Sequence, residues 1–166
     1  MNGEEARIVL LGLAEPPVRI LRALRAYVGL SDFVLSRVVG RTAQTVRRWR
    51  KSEVSADVPD PASAAVEDLR AIVAMLIEAD YSGSTIKSFL RSRNMGLGQD
   101  RPLDGVRVGI GAFRRVEHVT ECFIAGIAPE PGNALMADDD EQLEYALPRP
   151  PTPEPSLPRS SVGGGS

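Results

Sequence analysis

Few residues of this 166-residue chain could hold it together covalently or through a metal ion. Cys122 is the single cysteine and His118 the single histidine. Neither an internal disulfide nor a His/Cys zinc site, which needs three or four ligands, can therefore form. A lone cysteine also fits a reducing compartment. We therefore predict a cytoplasmic protein without a metal or a cofactor.

Long apolar runs and aromatic residues are also scarce. No apolar run approaches the ~20 residues of a membrane span, and the first residues lack signal-peptide architecture, so no membrane contact is expected. Aromatic residues make up 5% and apolar residues 43% of the sequence. Because aromatic and β-branched residues concentrate in sheets, this mixture favours Leu-, Val- and Ala-rich helices and predicts an all-α fold.

Two features could suggest catalysis, and neither supports it. Cys122 follows His118 by four residues, so both fall on one face of a predicted helix, without a third orienting group or an oxyanion loop. The glycines of Gly96-Leu-Gly98 lack the Lys-Ser/Thr pair and the preceding strand of a phosphate-binding loop, and they indicate a turn. The sequence therefore predicts a protein that is not an enzyme.

The net charge of −2 hides an uneven distribution of charge. Residues 16–53 contain nine basic and two acidic side chains, a local charge of +7. Residues 129–166 contain seven acidic and two basic side chains, a local charge of −5. Arginine supplies nearly all the positive charge, since Lys51 and Lys87 are the only lysines. A basic N-terminal part of this kind is compatible with nucleic-acid binding despite the acidic total.

Residues 17–53 have the pattern of a helix-turn-helix unit. Apolar spacings of three and four residues predict helices over 17–28, 31–39 and 42–51. Ser36 is small where the second helix of the motif crosses, and Gly40 suits the tight turn. Val46 and Trp49 would hold the second helix of the motif on the first.

The exposed side of that second helix would carry the DNA contacts. A recognition helix presents its N-terminal residues to base edges in the major groove. Gln44 could pair with adenine and Arg47 or Arg48 with guanine or phosphate, while Thr42 could bond a phosphate at the helix N-terminus. The predicted DNA-binding residues are Thr42, Gln44, Thr45, Arg47, Arg48 and Lys51. The same residues could instead form a solvated basic face or a protein-interaction surface.

Helical spacing continues beyond a linker at residues 53–61. It predicts helices over 60–80, 83–93 and 110–125 with a Gly-rich loop at 94–100, and together these form a helical domain at 60–127. The N-terminal arm, residues 1–16, could be a strand, a helical turn or disordered. Residues 128–166 hold eight of thirteen prolines and the acidic run Asp138–Glu141, so a disordered Pro-rich acidic tail is expected there.

Three segments of the second domain carry a resemblance. Residues Ile86–Asn94 contain an aromatic-Leu pair and an Asn, residues Leu97–Leu103 a Leu-Gly…Pro-Leu loop, and residues Phe113–Val119 begin a closing amphipathic helix after Gly109. This pattern resembles the toxin-binding domain of Xre/MbcA/ParS-type antitoxins, which usually follows a helix-turn-helix, and the resemblance covers roughly residues 17–127. The aromatic residue is usually Trp in that family, but here it is Phe89.

The resemblance implies an antitoxin that sequesters a partner toxin, commonly of the RES type that destroys NAD. Such antitoxins tend to dimerise, repress their own operon by binding double-stranded DNA, and can plug the toxin with a C-terminal segment. Partner contacts would then come from Phe89, Arg91, Arg93, Asn94 and Arg114. A stand-alone transcriptional or partition regulator of this fold, or an adaptor that no longer binds DNA, stays open, as does a purely solubilising tail.

Overall fold

The computed structural model describes residues 1–52 and 57–135, and every regular element within these ranges is helical. The predicted all-α class is confirmed for this part of the chain. The linker residues 53–56 and the tail residues 136–166 lie outside the described residues. The helices are α1 (Gly3–Leu11), α2 (Pro17–Ala23), α3 (Asp32–Val39), α4 (Ala43–Lys51), α5 (Asp60–Glu78), α6 (Gly83–Arg91), α7 (Pro102–Gly105) and α8 (Phe113–Ala125). A π-helical turn (Leu24–Val28) continues α2, and a 3-10 turn (Met95–Leu97) precedes α7.

Short polar side chains set the helix starts. The hydroxyls of Ser31, Thr42 and Ser82 accept hydrogen bonds from the backbone N–H groups three residues further on, at 3.3, 3.1 and 3.3 Å. These bonds satisfy N–H groups that have no partner within a helix. Gly40 ends α3 with φ of 63°, a left-handed conformation that a residue with a Cβ adopts only at a cost. The predicted boundaries of α3 and α4 are therefore confirmed.

The N-terminal segment, which the sequence leaves open between three conformations, is a helix in the core. Asn2 caps α1 by accepting a hydrogen bond from the N–H of Glu5 at 2.8 Å. Val9 and Leu10 of α1 are buried. Arg70 of α5 is also buried and donates to the carbonyl of Leu10 at 3.0 Å, which satisfies the C-terminal end of α1. Residues 3–11 are thus an integral helix.

The helix α5 lies at the centre of the molecule. Leu69, Ile72 and Leu76 of α5 are fully buried and belong to one hydrophobic cluster with side chains of α1 to α4, α6 and α8. Burial of each such side chain contributes roughly 1.5–3 kcal/mol. The predicted helix-turn-helix (17–53) and the helical domain (60–127) therefore share this core, and the domain boundaries themselves stay a prediction.

The predicted disordered tail starts at residue 128, but residues 129–135, here called the strap, are bound to the fold. Gly132 donates its N–H to the carbonyl of Met95 at 2.9 Å, and Leu135 donates its N–H to the carboxylate of Asp100 at 2.6 Å. The Leu135 side chain is only 7% exposed. Prolines and acidic residues indicate disorder from residue 128, but these hydrogen bonds and this burial hold the strap on the loop 94–100.

The strap approaches the loop closely because glycines face each other there. A Cβ on Gly98 would overlap the backbone N of Ala134, and one on Gly132 would overlap the carbonyl oxygen of Gly96. Real Cβ atoms do not approach backbone so closely, so any side chain at either position displaces the strap.

We expect Gly98→Ala to destabilise the protein more than Gly126→Ala. Both positions have a left-handed φ, 63° and 68°, so both alanines carry the same backbone strain, about 1–2 kcal/mol. Only Gly98 has strap backbone in the way, because a Cβ on Gly126 meets nothing within 4 Å. Overpacking should add roughly 1–3 kcal/mol at Gly98. Urea unfolding measures the destabilisation of each variant, and equal values would contradict the close packing of the strap.

Candidate DNA-binding and partner-binding surfaces

The helices α3 and α4 form the helix-turn-helix that the sequence predicts. Ser36 is 7% exposed, and its hydroxyl donates to the carbonyl of Phe33 at 2.7 Å. Val46 and Trp49 are buried and hold α4 on the core. Apart from Arg50, which pairs with Asp32 of α3, the longer polar side chains of α4 face outward, because only Val46 and Trp49 are buried.

The outward side chains of α4 form one continuous basic surface. A shallow depression there, here called the α4 face, is lined by Gln44, Thr45, Arg47, Arg48 and Lys51. Five of the six predicted DNA-binding residues thus lie together. Within the described residues, no carboxylate lies within ion-pairing distance of the three cations of this face. Most of their charge is therefore open to solvent or to a ligand, although Arg47 also helps to lower the pKa of Asp32.

Thr42 and Thr45, the two threonines among the predicted DNA-binding residues, have a structural role. Thr42 caps α4 by accepting from the N–H of Thr45 at 3.1 Å, and the two hydroxyls lie 2.9 Å apart, within hydrogen-bonding distance. The sixth predicted residue, Thr42, thus stands at the N-terminus of the helix, beside the α4 face. A phosphate contact by Thr42 would have to share a hydroxyl that is already the N-cap acceptor.

Two of the basic residues counted in the sequence do not face outward but hold α4 in place. Arg50 forms a two-pronged ion pair with Asp32 of α3, at 3.0 Å from Nε to Oδ1 and 3.2 Å from Nη2 to Oδ2. Arg22 of α2 donates to the carbonyls of Arg50, at 2.7 Å, and of Ser52. These bonds satisfy carbonyls at the C-terminus of α4, where positive charge is also favourable. We call Arg22, Asp32 and Arg50 the brace.

The predicted partner-binding residues lie in different environments. Phe89 is only 7% exposed, and its ring centroid lies 4.5 Å from that of Phe123, whose ring lies 5.2 Å from that of Tyr81. This aromatic cluster covers most of the Phe89 ring, and a contact from Phe89 to a partner stays a prediction. Phe123 is 37% exposed and forms the outer layer of the cluster.

The polar residues among the predicted partner contacts also differ in their exposure and hydrogen bonding. Asn94 accepts a hydrogen bond from the N–H of Gly96 at 2.8 Å and so shapes the loop 94–100. Arg93 is exposed. Arg114 is exposed and donates to the carboxylate of Glu117 at 2.7 Å, and this carboxylate raises the pKa of the guanidinium. Arg93 and Arg114, together with Arg91, can reach a partner, whereas Asn94 has a structural role.

Arg91 belongs to a second basic surface that the sequence does not predict. A groove of about 340 Å³ lies between α3 and the α6–α7 region. Its charged lining, here called the cationic groove, comprises Arg37, Lys87, Arg91, Arg101 and Arg107, with Asp104 as the one acid among the lining residues. Phe33 of α3 stands beside them, 66% exposed. These residues come from positions 33 to 107, and no local spacing in the sequence signals that they meet.

The cysteine and the histidine lie together, but on an open helix surface. Cys122 Sγ lies 3.7 Å from His118 Nε2, and Glu121 lies 3.8 Å from His118 Nδ1, so an acidic third group is present where the sequence suggests none. Neither the α4 face nor the cationic groove includes them. In the described ranges, no group of three His, Cys, Asp or Glu side chains could hold a metal ion, and no helix is long and apolar enough to cross a bilayer.

We expect Asp32→Asn to lower stability at neutral pH and less so in acid. The hydrogen bond and charge of Arg50 hold the pKa of Asp32 below its usual value. A carboxyl whose folded pKa is lowered stabilises the protein above its unfolded pKa, near 4, and this stabilisation disappears as pH falls through the folded pKa. For a partly buried pair the destabilisation should be about 1 kcal/mol at pH 7.

Thermal unfolding of the wild type and of Asp32→Asn at pH 7 and near pH 3 measures this difference. The matched control is Asp104→Asn, which also removes one negative charge but breaks only a 3.9 Å contact to Arg107. It should change the melting temperature less at pH 7. A difference in melting temperature between wild type and Asp32→Asn that is the same at pH 7 and near pH 3 would contradict the role of the ion pair.

Comparison with known proteins gives a match among the solved structures. No protein-family model and no curated protein matches this sequence. Among solved structures, the chain is similar to a chain of the crystal structure of the M. tuberculosis MbcT-MbcA toxin-antitoxin complex, with a TM-score of 0.52 and 19% sequence identity. The similarity covers 66% of this chain and 95% of that chain. At this identity it shows a shared fold alone.

Proposed function

We propose that this protein is an antitoxin-type DNA-binding protein that sequesters a partner toxin and represses its own operon through α3 and α4. The observation that carries the proposal is the combination of an outward-facing basic α4 with a fold shared with a chain of a toxin-antitoxin complex. The first element supports DNA binding, and the second supports a protein partner. The proposal places both functions on one helical core.

The dimensions and charge of α4 suit the major groove. An α-helix with its side chains is about 10–12 Å in diameter, which matches the major groove width of about 12 Å. The brace uses Arg22 and Arg50 internally, which fixes the orientation of α4 while Arg47, Arg48 and Lys51 stay outward. Gln44 stands in the first turn, where recognition helices reach base edges. In the proposed homodimer or higher oligomer, two such helices would read half-sites about one helical turn apart.

The partner surface is proposed on the exposed cations of α6 and α8. Arg91 follows the buried Phe89 on α6, Arg93 lies just beyond that helix, and Arg114 stands in the first turn of α8. Arginine is favoured at interfaces because its planar group bonds carboxylates in a fixed geometry. The proposed partner is a toxin, of the RES type if the family resemblance extends to the toxin.

We expect the double variant Arg47→Ala/Arg48→Ala to weaken binding to the DNA upstream of the gene and to flatten its salt dependence. The slope is that of the logarithm of the binding constant against the logarithm of the salt concentration. Removing one phosphate contact should reduce its magnitude by about 0.9, so removing two should reduce it by up to ~2. Gel mobility shifts over a range of salt concentrations measure both the affinity and the slope. Because neither side chain is part of the buried face of α4, the fold should be unchanged in circular dichroism.

The control for DNA binding is Arg114→Ala, which also removes one exposed arginine but on α8. Its salt slope should equal that of the wild type. An unchanged slope in the α4 double variant would exclude the α4 face as the DNA contact. If the wild type itself does not shift this DNA, the adaptor alternative is favoured.

We expect the triple variant Arg91→Ala/Arg93→Ala/Arg114→Ala to neutralise the partner toxin less well than the wild type. Truncation of a buried interface arginine often costs 2 kcal/mol or more, which lowers the affinity about 30-fold. Growth rescue on co-expression with the enzyme encoded by the adjacent reading frame measures neutralisation. The variant Arg47→Ala/Arg48→Ala serves as the reciprocal control and should neutralise normally.

Full neutralisation by the triple variant would contradict this partner surface. If the wild type leaves the neighbouring enzyme fully active while the DNA shift is retained, a stand-alone regulator of the same fold is the better interpretation.

A further inference from the structure

The cationic groove has a charge balance that calls for an anionic occupant. Four arginines and one lysine surround it, and Asp104 is the one carboxylate among its lining residues. Asp104 contacts Arg107 only at 3.9 Å, so little of this positive charge is neutralised by described residues. The exposed ring of Phe33 adds an apolar contact at the same place. A short acidic segment with apolar neighbours fits this chemistry.

The chain itself supplies such a segment close by. The strap ends at Leu135, whose N–H is bound to Asp100, the residue before Arg101 of the groove. Its side chain packs against Gly105, the residue after Asp104. The acidic run Asp138–Glu141 begins three residues beyond Leu135, a distance of up to ~10 Å in an extended chain. Met136 and Leu143 flank this run and offer apolar contacts.

We propose that the acidic segment 138–141 of the same chain binds the cationic groove. The fixed strap keeps the segment near the groove at an effective concentration on the order of millimolar, so even a weak contact is well occupied. The proposal concerns the groove between α3 and the α6–α7 region rather than the α4 face, because the point where the described chain ends lies beside Arg101. A partner that takes up the acidic segment then leaves the groove empty for another anion.

The two lysines of the chain allow a direct test in the full-length protein. Lys87 lines the cationic groove and Lys51 lines the α4 face. A carbodiimide joins a lysine amine to a neighbouring carboxylate as an amide, with net loss of one water, and mass spectrometry of the digest identifies both residues. We expect segment 138–141 to be joined to Lys87, and the yield to fall at 1 M salt, where charges are screened within about 3 Å.

Two matched variants test whether the cations of the groove are responsible for the link to Lys87. Arg91→Ala/Arg101→Ala keeps both lysines and the whole tail but removes two groove cations, and it should lower the yield of the Lys87 link by roughly threefold or more. Arg47→Ala/Arg48→Ala removes two cations from the α4 face and should leave that yield unchanged. Mixing unlabelled and ¹⁵N-labelled protein shows whether each link lies within one chain, since links between chains give mixed masses.

Three outcomes would overturn the proposal. Links from segment 138–141 to Lys51 would place the segment on the α4 face. Mixed-mass links would place it on a second copy. Lack of a Lys87 link in low salt, with other links of the same protein formed normally, would leave the groove without this occupant. None of these outcomes bears on whether the protein binds DNA or a toxin, which the experiments on those functions decide.

Discussion

The structure depends on the burial of α5 by helices from both halves of the chain. Its apolar residues form one hydrophobic cluster with side chains of α1, α2, α3, α6 and α8. A chain with one cysteine has no disulfide framework to replace this burial. The buried Arg70 donates to the Leu10 carbonyl at the end of α1 and pairs with Glu67. Its charge is therefore not left without a partner in the core. Every functional surface is therefore fixed relative to one centre.

Five of the nine basic residues in the helix-turn-helix region fall into two groups with different roles. Arg22 and Arg50 are used inside the protein, where they fix the C-terminal end of α4 to α2 and α3. Arg47, Arg48 and Lys51 lie outside and form the α4 face. A local charge of +7 therefore overstates the charge available to the proposed DNA ligand. In the proposed complex the internal arginines would still matter, because a recognition helix that moves on its support cannot hold several phosphate and base contacts at once.

Local signals predict most of the fold, and long-range contacts explain what they miss. Ser31, Gly40, Thr42 and Gly126 act within a few residues of themselves, so the sequence locates the ends of α3, α4 and α8 to within three residues. The strap is not predicted because its stability comes from Asp100 and Met95, more than thirty residues away. Phe89 is predicted as a partner contact from its family position, and the ring of Phe123 that covers it lies on another helix, so no local spacing signals their contact. The cationic groove has no local signal for the same reason.

The strap changes what an acidic tail can do. A tail that left the fold at residue 128 would sweep a large volume, and its charge would act on the protein only as a diffuse field. The last described residue, Leu135, is bound to Asp100, the residue before Arg101 of the cationic groove, whereas other residues line the α4 face. Attraction between exposed charges falls off within about 10 Å at 0.1 M salt, so the anchoring point decides which cations the tail neutralises. In the proposed arrangement, the seven residues of the strap, which composition alone assigns to a disordered tail, thus select the basic surface that the acidic run meets.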